Sequence, residues 1–244
     1  MSKKWYHKWF NSPFYHVLYS QRNNEEAEFF IDNLCAFLNP LPESKLLDVA
    51  CGRGRHSVYL NKKGYNVAGI DLSSANIEYA KQFENEKLHF FKHDMRKLMY
   101  INYFDAALNL FTSFGYFETE KEHIKALNVI NRTLKKDGLF VLDFFNTAKI
   151  IKSLRPHETK TVSGIDFNIS KQVTGGKVLK TIDFNYKNRN YHYAEEVKAL
   201  NRIDFERMFE ASSFSVLNTF GDYQLNDFNT ETSDRLIFIC QKNA

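Results

Sequence analysis

Apolar residues recur with two different spacings along the first 145 residues, and the two spacings alternate. Short apolar runs that end at a polar residue are typical of buried strands, whereas apolar residues three or four positions apart indicate amphipathic helices. The runs predict five strands, at 46–49, 66–70, 88–91, 104–111 and 139–144. The helical spacings predict four helices, at 25–38, 55–63, 74–83 and 120–136.

Capping and turn residues mark the ends of these helices. Gly64 follows the second helix, where a left-handed residue often ends one. Thr119 and Glu122 form a capping box at the start of the fourth helix, and Asp137-Gly138 predicts its end. The alternation of strands and helices therefore predicts an α/β fold, a doubly wound, Rossmann-like parallel sheet whose ligands bind at the carboxyl ends of the strands.

The tail departs from this alternation. A helix is predicted over 201–212, followed by strands at 214–220 and 235–240. The residues between the two strands are polar and have no helical period, whereas parallel neighbours would need a crossover, usually a helix. We therefore expect a seven-stranded sheet whose last strand is antiparallel.

An extra segment precedes the tail helix. From 159 to 199, apolar residues alternate at period two, with turns at Gly175-Gly176 and 188–190, which predicts a small inserted antiparallel sheet. This sheet either roofs the site of the second substrate, contacts a second subunit in a homodimer, or has no function. The predicted units are an aromatic arm with a capping helix (1–42), a core (43–155), the inserted sheet (156–199) and the rest of the core (200–244).

The N-terminal arm, residues 5–19, is rich in aromatic side chains but shows neither a helix nor a strand period. Such a stretch is too apolar for a disordered tail. We expect it to pack on the rest of the chain.

Composition and charge argue against membrane, secreted, zinc-binding and nucleic-acid-binding proteins. No apolar run approaches the roughly 18 residues of a membrane span, and the first residues do not lead into a signal peptide. Cys35, Cys51 and Cys240 form neither a disulfide framework nor a zinc pattern, so the cytoplasm is the expected compartment. The 33 basic and 29 acidic residues are interleaved, which makes nucleic acid an improbable partner.

A glycine loop follows the first predicted strand. Gly52 and Gly54 let backbone N–H groups approach a ligand at the start of a helix. The loop lacks the third glycine of dinucleotide folds, since Ser57 stands there, and it lacks the Gly-Lys-Ser/Thr of phosphate loops. The loop therefore predicts a polar ligand, but it matches neither the dinucleotide pattern nor the phosphate-loop pattern.

Three acids stand at the ends of successive strands, where they suit a nucleoside. Asp48, Asp71 and Asp94 end the first, second and third strands. Asp71 can accept both ribose hydroxyls, as acids in this position do in nucleotide folds. Asp94 can accept the adenine amino group, with the Met95 N–H donating to the ring and Leu72 packing on its face.

These residues together resemble the class I S-adenosylmethionine-dependent methyltransferases. The resemblance is greatest to the small-molecule branch that includes amino-sugar N,N-dimethyltransferases, and four stretches carry it: Tyr15–Tyr19 with Arg22, Leu46–Gly52, Asp94-Met95-Arg96 and Ser113–Tyr116. It implies S-adenosylmethionine as cofactor, with the glycine loop around its ribose and methionine end. It also implies that Tyr15 and Arg22 reach over the cofactor, Arg22 on its carboxylate, and that the backbone near Leu110 meets its amino group.

Ala50 is a departure from the family's usual glycine. It predicts a loop that turns with φ below zero at this position. The small-molecule branch tolerates alanine there and carries a β insertion before its last helix, so the departure leaves the resemblance intact.

Methyl transfer needs few catalytic side chains, because the sulfonium is already an activated donor and orientation lowers much of the barrier. A general base is needed only if the acceptor must lose a proton first. His16, Tyr116 and His192 are the candidates by position. His89 and His93 are too far apart on a strand to share a metal, so no metal site is expected.

The sequence thus predicts a methyltransferase that acts by in-line displacement on a small molecule, at nitrogen or oxygen rather than carbon. Three alternatives stay open: an RNA or other nucleic-acid methyltransferase, a nicotinamide oxidoreductase, and a cofactor-binding protein without catalysis.

Overall fold

The computed structural model describes residues 5–20 and 24–243 and contains two separate β-sheets. The larger sheet has seven strands: β1 (Lys45–Val49), β2 (Asn66–Asp71), β3 (Leu88–Lys92), β4 (Phe104–Asn109), β5 (Leu134–Phe145), β10 (Phe214–Phe220) and β11 (Arg235–Lys242). The smaller sheet has four: β6 (His157–Val162), β7 (Ile165–Thr174), β8 (Lys177–Tyr186) and β9 (Arg189–Lys198).

The seven-stranded sheet has the order β10-β11-β5-β4-β1-β2-β3. Strands β1 to β5 pair in parallel, whereas β11 runs antiparallel to both β5 and β10. The predicted α/β fold with a reversed last strand is therefore confirmed.

The helices are α1 (Trp5–Phe10), α2 (Pro13–Leu18), α3 (Asn24–Leu38), α4 (Arg55–Lys62), α5 (Ser74–Ala80), α6 (Glu120–Thr133), α7 (Thr147–Lys152) and α8 (Arg202–Glu210). One apolar cluster lies on each face of the large sheet, the first under α6 and α8 and the second under α3, α4 and α5. Among the described residues, no helix is both long and apolar enough to cross a membrane.

The predicted end of α6 at 136 is wrong. The capping box at Thr119 and Glu122 forms as expected, but the helix ends at Thr133. Leu134 is fully buried in extended conformation beside Phe104, so β5 begins there instead of at 139. Asp137, with φ 60°, turns the chain within the strand rather than ending a helix.

The arm, which the sequence left without regular structure, forms the two short helices α1 and α2. Ser12 caps α2 by accepting the Phe14 N–H at 3.3 Å, and Pro13 occupies the first helical position. Six residues are too few for a helical period to show in the sequence. The arm packs on the smaller sheet, where Trp9 is fully buried in a cluster with Phe167.

The predicted antiparallel inserted sheet is present. Its face toward the arm is apolar, with Ile169, Ile182 and Phe184 buried. At its other end it is joined to the loop after β4, because the Lys198 N–H donates to the Gly115 carbonyl at 2.9 Å. We call this sheet the roof, because its inner face covers the cleft described next.

Candidate functional site

A cleft of about 1240 Å³ lies at the carboxyl ends of β1, β2 and β4. The glycine loop, β2 and β3 form its floor, the arm forms one wall, and the roof closes the top. Pockets for single small molecules usually enclose about 300–1,000 Å³. The cleft therefore has room for a cofactor and a second substrate together.

The glycine loop turns through three left-handed residues. Ala50, Gly52 and Gly54 have φ values of 60°, 58° and 83°. The expectation of a negative φ at Ala50 is wrong: the turn keeps the conformation that suits glycine, and alanine carries a strain of about 1–2 kcal/mol there. Strain of this kind is characteristic of ligand-binding loops.

The two glycines differ in what surrounds them. A Cβ built on Gly52 would meet no atom within 4 Å, so this face is open to the cleft. A Cβ on Gly54 would lie 2.6 Å from the Phe90 ring. Gly54 is buried under the start of α4 and does not line the cleft, so it shapes the loop through packing instead of the contact that the sequence suggested.

Asp71 lies on the cleft floor. Its Oδ2 accepts the Gly52 N–H at 2.9 Å and its Oδ1 accepts the Ser73 N–H at 2.7 Å. Burial raises the pKa of this carboxyl, against the lowering effect of those two hydrogen bonds. Each carboxylate oxygen keeps a second lone pair. Asp71 can therefore accept two hydroxyls side by side, as a ribose presents them.

Asp48 is more deeply buried than the sequence suggested. It is 2% exposed, and its Oδ2 accepts the Ser57 hydroxyl at 2.5 Å, which ties β1 to α4. Burial and the nearby Asp71 charge raise its pKa to about 6. Asp48 touches the cleft but mainly braces the glycine loop, and Ser57 is the partner that sequence reasoning missed.

Asp94 is held by an arginine two residues on. Arg96 donates two hydrogen bonds to the Asp94 carboxylate, from Nε to Oδ1 at 3.0 Å and from a terminal nitrogen to Oδ2 at 2.7 Å. Burial alone would raise the pKa of Asp94, but the Arg96 hydrogen bonds outweigh it and lower the pKa. Met95 and Leu72 line the cleft together with Asp94, and their contacts with a nucleobase stay a prediction.

The loop after β4 forms the cleft wall at Leu110. The next two residues, Phe111 and Thr112, have φ values of 56° and 59°, which is strained for both side chains. Buried Asp143 holds them: its Oδ2 accepts the Phe111 N–H at 2.7 Å and its Oδ1 accepts Arg235 Nε at 2.7 Å. Arg235 also donates to the Thr112 hydroxyl at 3.0 Å.

The three candidate bases lie in different places. His16 lines the cleft, and its Nε2 is 3.0 Å from the Asn76 amide oxygen. Burial and the Arg53 charge lower its pKa to about 4, so it is neutral at pH 7. Tyr116 lines the cleft and donates its hydroxyl to the Thr112 carbonyl at 2.5 Å. His192 lies on the exposed face of the inserted sheet, paired with Asp183 and away from the cleft, so its position does not suit a base.

The arm contributes aromatic residues to the cleft. Tyr15 lines the cleft, together with Trp5 and Phe10, and its contact with the cofactor stays a prediction. Arg22, the predicted partner of the cofactor carboxylate, lies outside the described residues. Glu195 of the roof accepts Trp9 Nε1 at 2.7 Å and the Tyr19 hydroxyl at 2.6 Å, both from the arm. Glu195 is far from Trp9 and Tyr19 in the sequence, so only the tertiary structure shows that these three residues meet.

Polar groups of the cleft that lack partners fit S-adenosylmethionine, whatever family the chain belongs to. His56 lines the cleft, yet its Nε2 is buried and has no hydrogen-bond partner among the residues described. Burial and Arg55 lower its pKa to about 3, so the ring is neutral. Together with the open face of Gly52 and the acceptor oxygens of Asp71, this orphan nitrogen leaves polar groups that a nucleoside would satisfy. No cluster of metal-ligating side chains occurs within 5–20 and 24–243.

Comparisons with known proteins agree with this geometry. A family model described as "Methyltransferase domain" matches residues 47–142. A putative methyltransferase of Bacillus subtilis, YqeM, is 27% identical over 83% of this chain and 86% of its own length. A Streptomyces venezuelae protein named dTDP-3-amino-3,4,6-trideoxy-alpha-D-glucopyranose N,N-dimethyltransferase is 31% identical over 53% of this chain and 54% of its own.

Among solved structures, an S-adenosylmethionine-dependent methyltransferase of Clostridium acetobutylicum superposes with a TM-score of 0.80. The match covers 94% of this chain and 96% of that one at 18% identity. At this identity the superposition shows the fold alone.

Proposed function

Since this chain belongs to the small-molecule branch of the class I S-adenosylmethionine-dependent methyltransferases, we propose that it methylates an amino nitrogen of a small molecule. The acceptor binds in the cleft between the loop after β4 and the roof. The relative from Streptomyces venezuelae supports this proposal, since its name describes N,N-dimethylation of an amino sugar.

The observation that carries the choice of nitrogen is the aromatic lining of the cleft. Trp5 and Phe10 each approach the Tyr116 ring, with centroids 5.5 and 5.6 Å apart, and Phe10 is 5.1 Å from Tyr15. Methyl transfer to an amine moves the positive charge from sulfur to nitrogen. Aromatic rings stabilise such a cation by about 0.5–2 kcal/mol each. An alcohol that loses its proton leaves no cation to stabilise.

Bound S-adenosylmethionine would supply an electrophilic methyl on a sulfonium: the S–C bond would break as the N–C bond forms, leaving S-adenosylhomocysteine, and the acceptor nitrogen would release its proton to water. The chain itself contributes position. We propose that Asp71 accepts the ribose hydroxyls, Gly52 and Ala50 line the methionine end, Leu72, Met95 and Asp94 hold the base, and Leu110 meets the amino group through its backbone. Tyr15 covers the cofactor.

No strong base stands among the described residues of the cleft wall near Tyr116. His16 is neutral at pH 7, but its ring is engaged with Asn76, and the Tyr116 hydroxyl already donates to Thr112. This suits an amine, which reacts through its neutral form without a dedicated base and releases its proton after transfer.

The test is turnover with paired acceptors. The protein is incubated with S-adenosylmethionine and a panel of primary amines, each matched by the alcohol of the same carbon skeleton, and mass spectrometry identifies the methylated atom. We expect N-methylation, with kcat/KM reduced about 3- to 30-fold in Phe10→Leu. Phe37→Leu, an exposed aromatic outside the cleft, is the matched control and should act as wild type. Methylation of the alcohols with similar kcat/KM, or methylation of RNA instead, would overturn the proposal.

A further inference from the structure

On the inner face of the roof, the strands β7 and β8 are apolar except for one row of charges. Alternate residues of β7 and β8 share this face, and most are apolar: Ile169 and Val173 on β7, Val178 and Ile182 on β8. Lys171 and Lys180 interrupt the two series at the same level, because they are direct partners across the strand pair. Glu195 on β9 completes the row opposite Lys180.

This row is costly for the fold. Two like charges directly opposite each other in an antiparallel pair destabilise the sheet. Both lysine side chains are also largely withdrawn from solvent, with 29% and 15% of their surfaces exposed. Apolar residues at these positions would continue the packing on either side, although Glu195 and Lys180 also hold the arm through Tyr19.

The two lysines contact different carboxylates. Lys171 Nζ is 2.8 Å from Glu158, which lies on the edge strand β6 and does not line the cleft. Lys180 Nζ is 3.7 Å from Glu195 and also donates to the Tyr19 hydroxyl. The side of the roof that faces the cleft therefore carries Lys171, Lys180 and Glu195, while Glu158 contacts Lys171 from outside the cleft.

The row lies above the part of the cleft where the acceptor must bind. Val197, two residues beyond Glu195 on β9, packs on Gly115 so closely that a Cβ there would be 3.0 Å from it. Gly115 belongs to the loop after β4 that also carries Ser113 and Tyr116. The lysines thus face the cleft from the roof, while the cofactor residues Asp71 and Gly52 lie on its floor.

We propose that Lys171 and Lys180 bind an acidic group of the acceptor, a carboxylate or a phosphate. This inference rests on the proposed function, since the acceptor is the molecule that lies between the roof and the cofactor. A paired ammonium site holds the acidic end of the acceptor on the roof and leaves its amino end to point toward the floor. The acceptor is therefore a small acidic amine.

The test is anion binding to protein saturated with S-adenosylhomocysteine, so that the cofactor's own carboxylate site is filled. Sodium phosphate and sodium acetate are titrated at constant ionic strength, with chloride as the balancing ion, and binding is followed by NMR chemical shifts. Lys171→Gln is the informative variant, because Lys171 pairs with Glu158 of β6, whereas Lys180 helps to hold Tyr19 of the arm. Lys171→Arg tests rescue, and Lys187→Gln removes one charge from an exposed turn of the same sheet.

We expect Lys171→Gln to weaken anion binding about tenfold, with Lys171→Arg and Lys187→Gln within twofold of wild type. Tighter binding of phosphate identifies a phosphorylated acceptor, and tighter binding of acetate a carboxylic acid. Absence of saturable binding by wild type, or equal binding by Lys171→Gln, would overturn the inference. A protein that fails to bind S-adenosylhomocysteine at all would instead remove the proposed function, so the two failures are distinguishable.

Discussion

The ion pair between Arg235 and Asp143 offers the sharpest test of how the cleft wall is built. Asp143 has no solvent exposure, and besides Arg235 it accepts the Phe111 N–H and, at 3.3 Å, the Tyr223 hydroxyl. Arg235→Met keeps an unbranched side chain but leaves the carboxylate buried without its cation. Breaking a buried pair in this way costs about 3–5 kcal/mol.

We therefore expect Arg235→Met to lower the free energy of unfolding in urea by about 3–5 kcal/mol with an unchanged m-value. The variant should also bind S-adenosylhomocysteine less tightly at a temperature where it is folded, because the strained conformation at Phe111 and Thr112 loses its support. Lys152→Met is the matched control, since the Lys152–Glu231 pair is 72% and 65% exposed and should contribute less than about 1 kcal/mol. Equal effects of the two variants, or a loss under about 1 kcal/mol for Arg235→Met, would refute this reasoning.

Three further predictions concern the loop and the arm. Ala50→Gly relieves the left-handed strain at a smaller entropic cost, so it should raise the free energy of unfolding by about 0.5–1 kcal/mol in urea denaturation; a loss of stability would contradict the observed φ. Gly54→Ala should lower it by about 2–5 kcal/mol, through the clash with Phe90 and the strained φ, and a tolerated alanine would show that the loop can shift. Because the pKa of His16 is about 4 when folded and near 6.5 when unfolded, its contribution to stability is present above pH 6.5 and is lost as the pH falls toward 4. The free energy of unfolding of His16→Gln should therefore fall less than that of wild type between pH 7 and pH 5, by an amount that the partial exposure of His16 reduces. Identical pH profiles would show that burial of His16 has no such effect.

The strands and their directions could be predicted because their signals are local. Apolar runs ending at Asp71 and near Asp94 give the strand ends, and the missing helix before β11 gives the reversed strand. The prediction of α6 failed at its end, because burial of Leu134 beside Phe104 outweighed the turn signal at Asp137-Gly138. That burial depends on a neighbour 30 residues away in sequence, which periodicity does not detect.

The residues on the floor of the cleft could be predicted from the sequence more fully than the residues of its walls. Asp71, Leu72 and Met95 follow from strand ends alone, and they line the cleft. Asp143 and Arg235 are 92 positions apart and meet only through the pairing of β5 and β11. The arm residues beside Glu195 are similarly remote, so the shape of the acceptor site depended on tertiary contacts. The roles assigned to individual cofactor residues, a cytoplasmic location and a homodimer stay predictions.

Calorimetry with S-adenosylhomocysteine tests the central claim most directly, because that claim is a nucleoside site on the floor of the cleft. Asp71→Ala removes the proposed acceptor of the ribose hydroxyls, and Asp183→Ala removes an exposed acid of the roof as the matched control. We predict saturable binding by wild type and Asp183→Ala, and binding at least about tenfold weaker in Asp71→Ala, the loss expected for charged hydrogen bonds. Equal affinity of all three proteins, or no binding by wild type, would contradict the account.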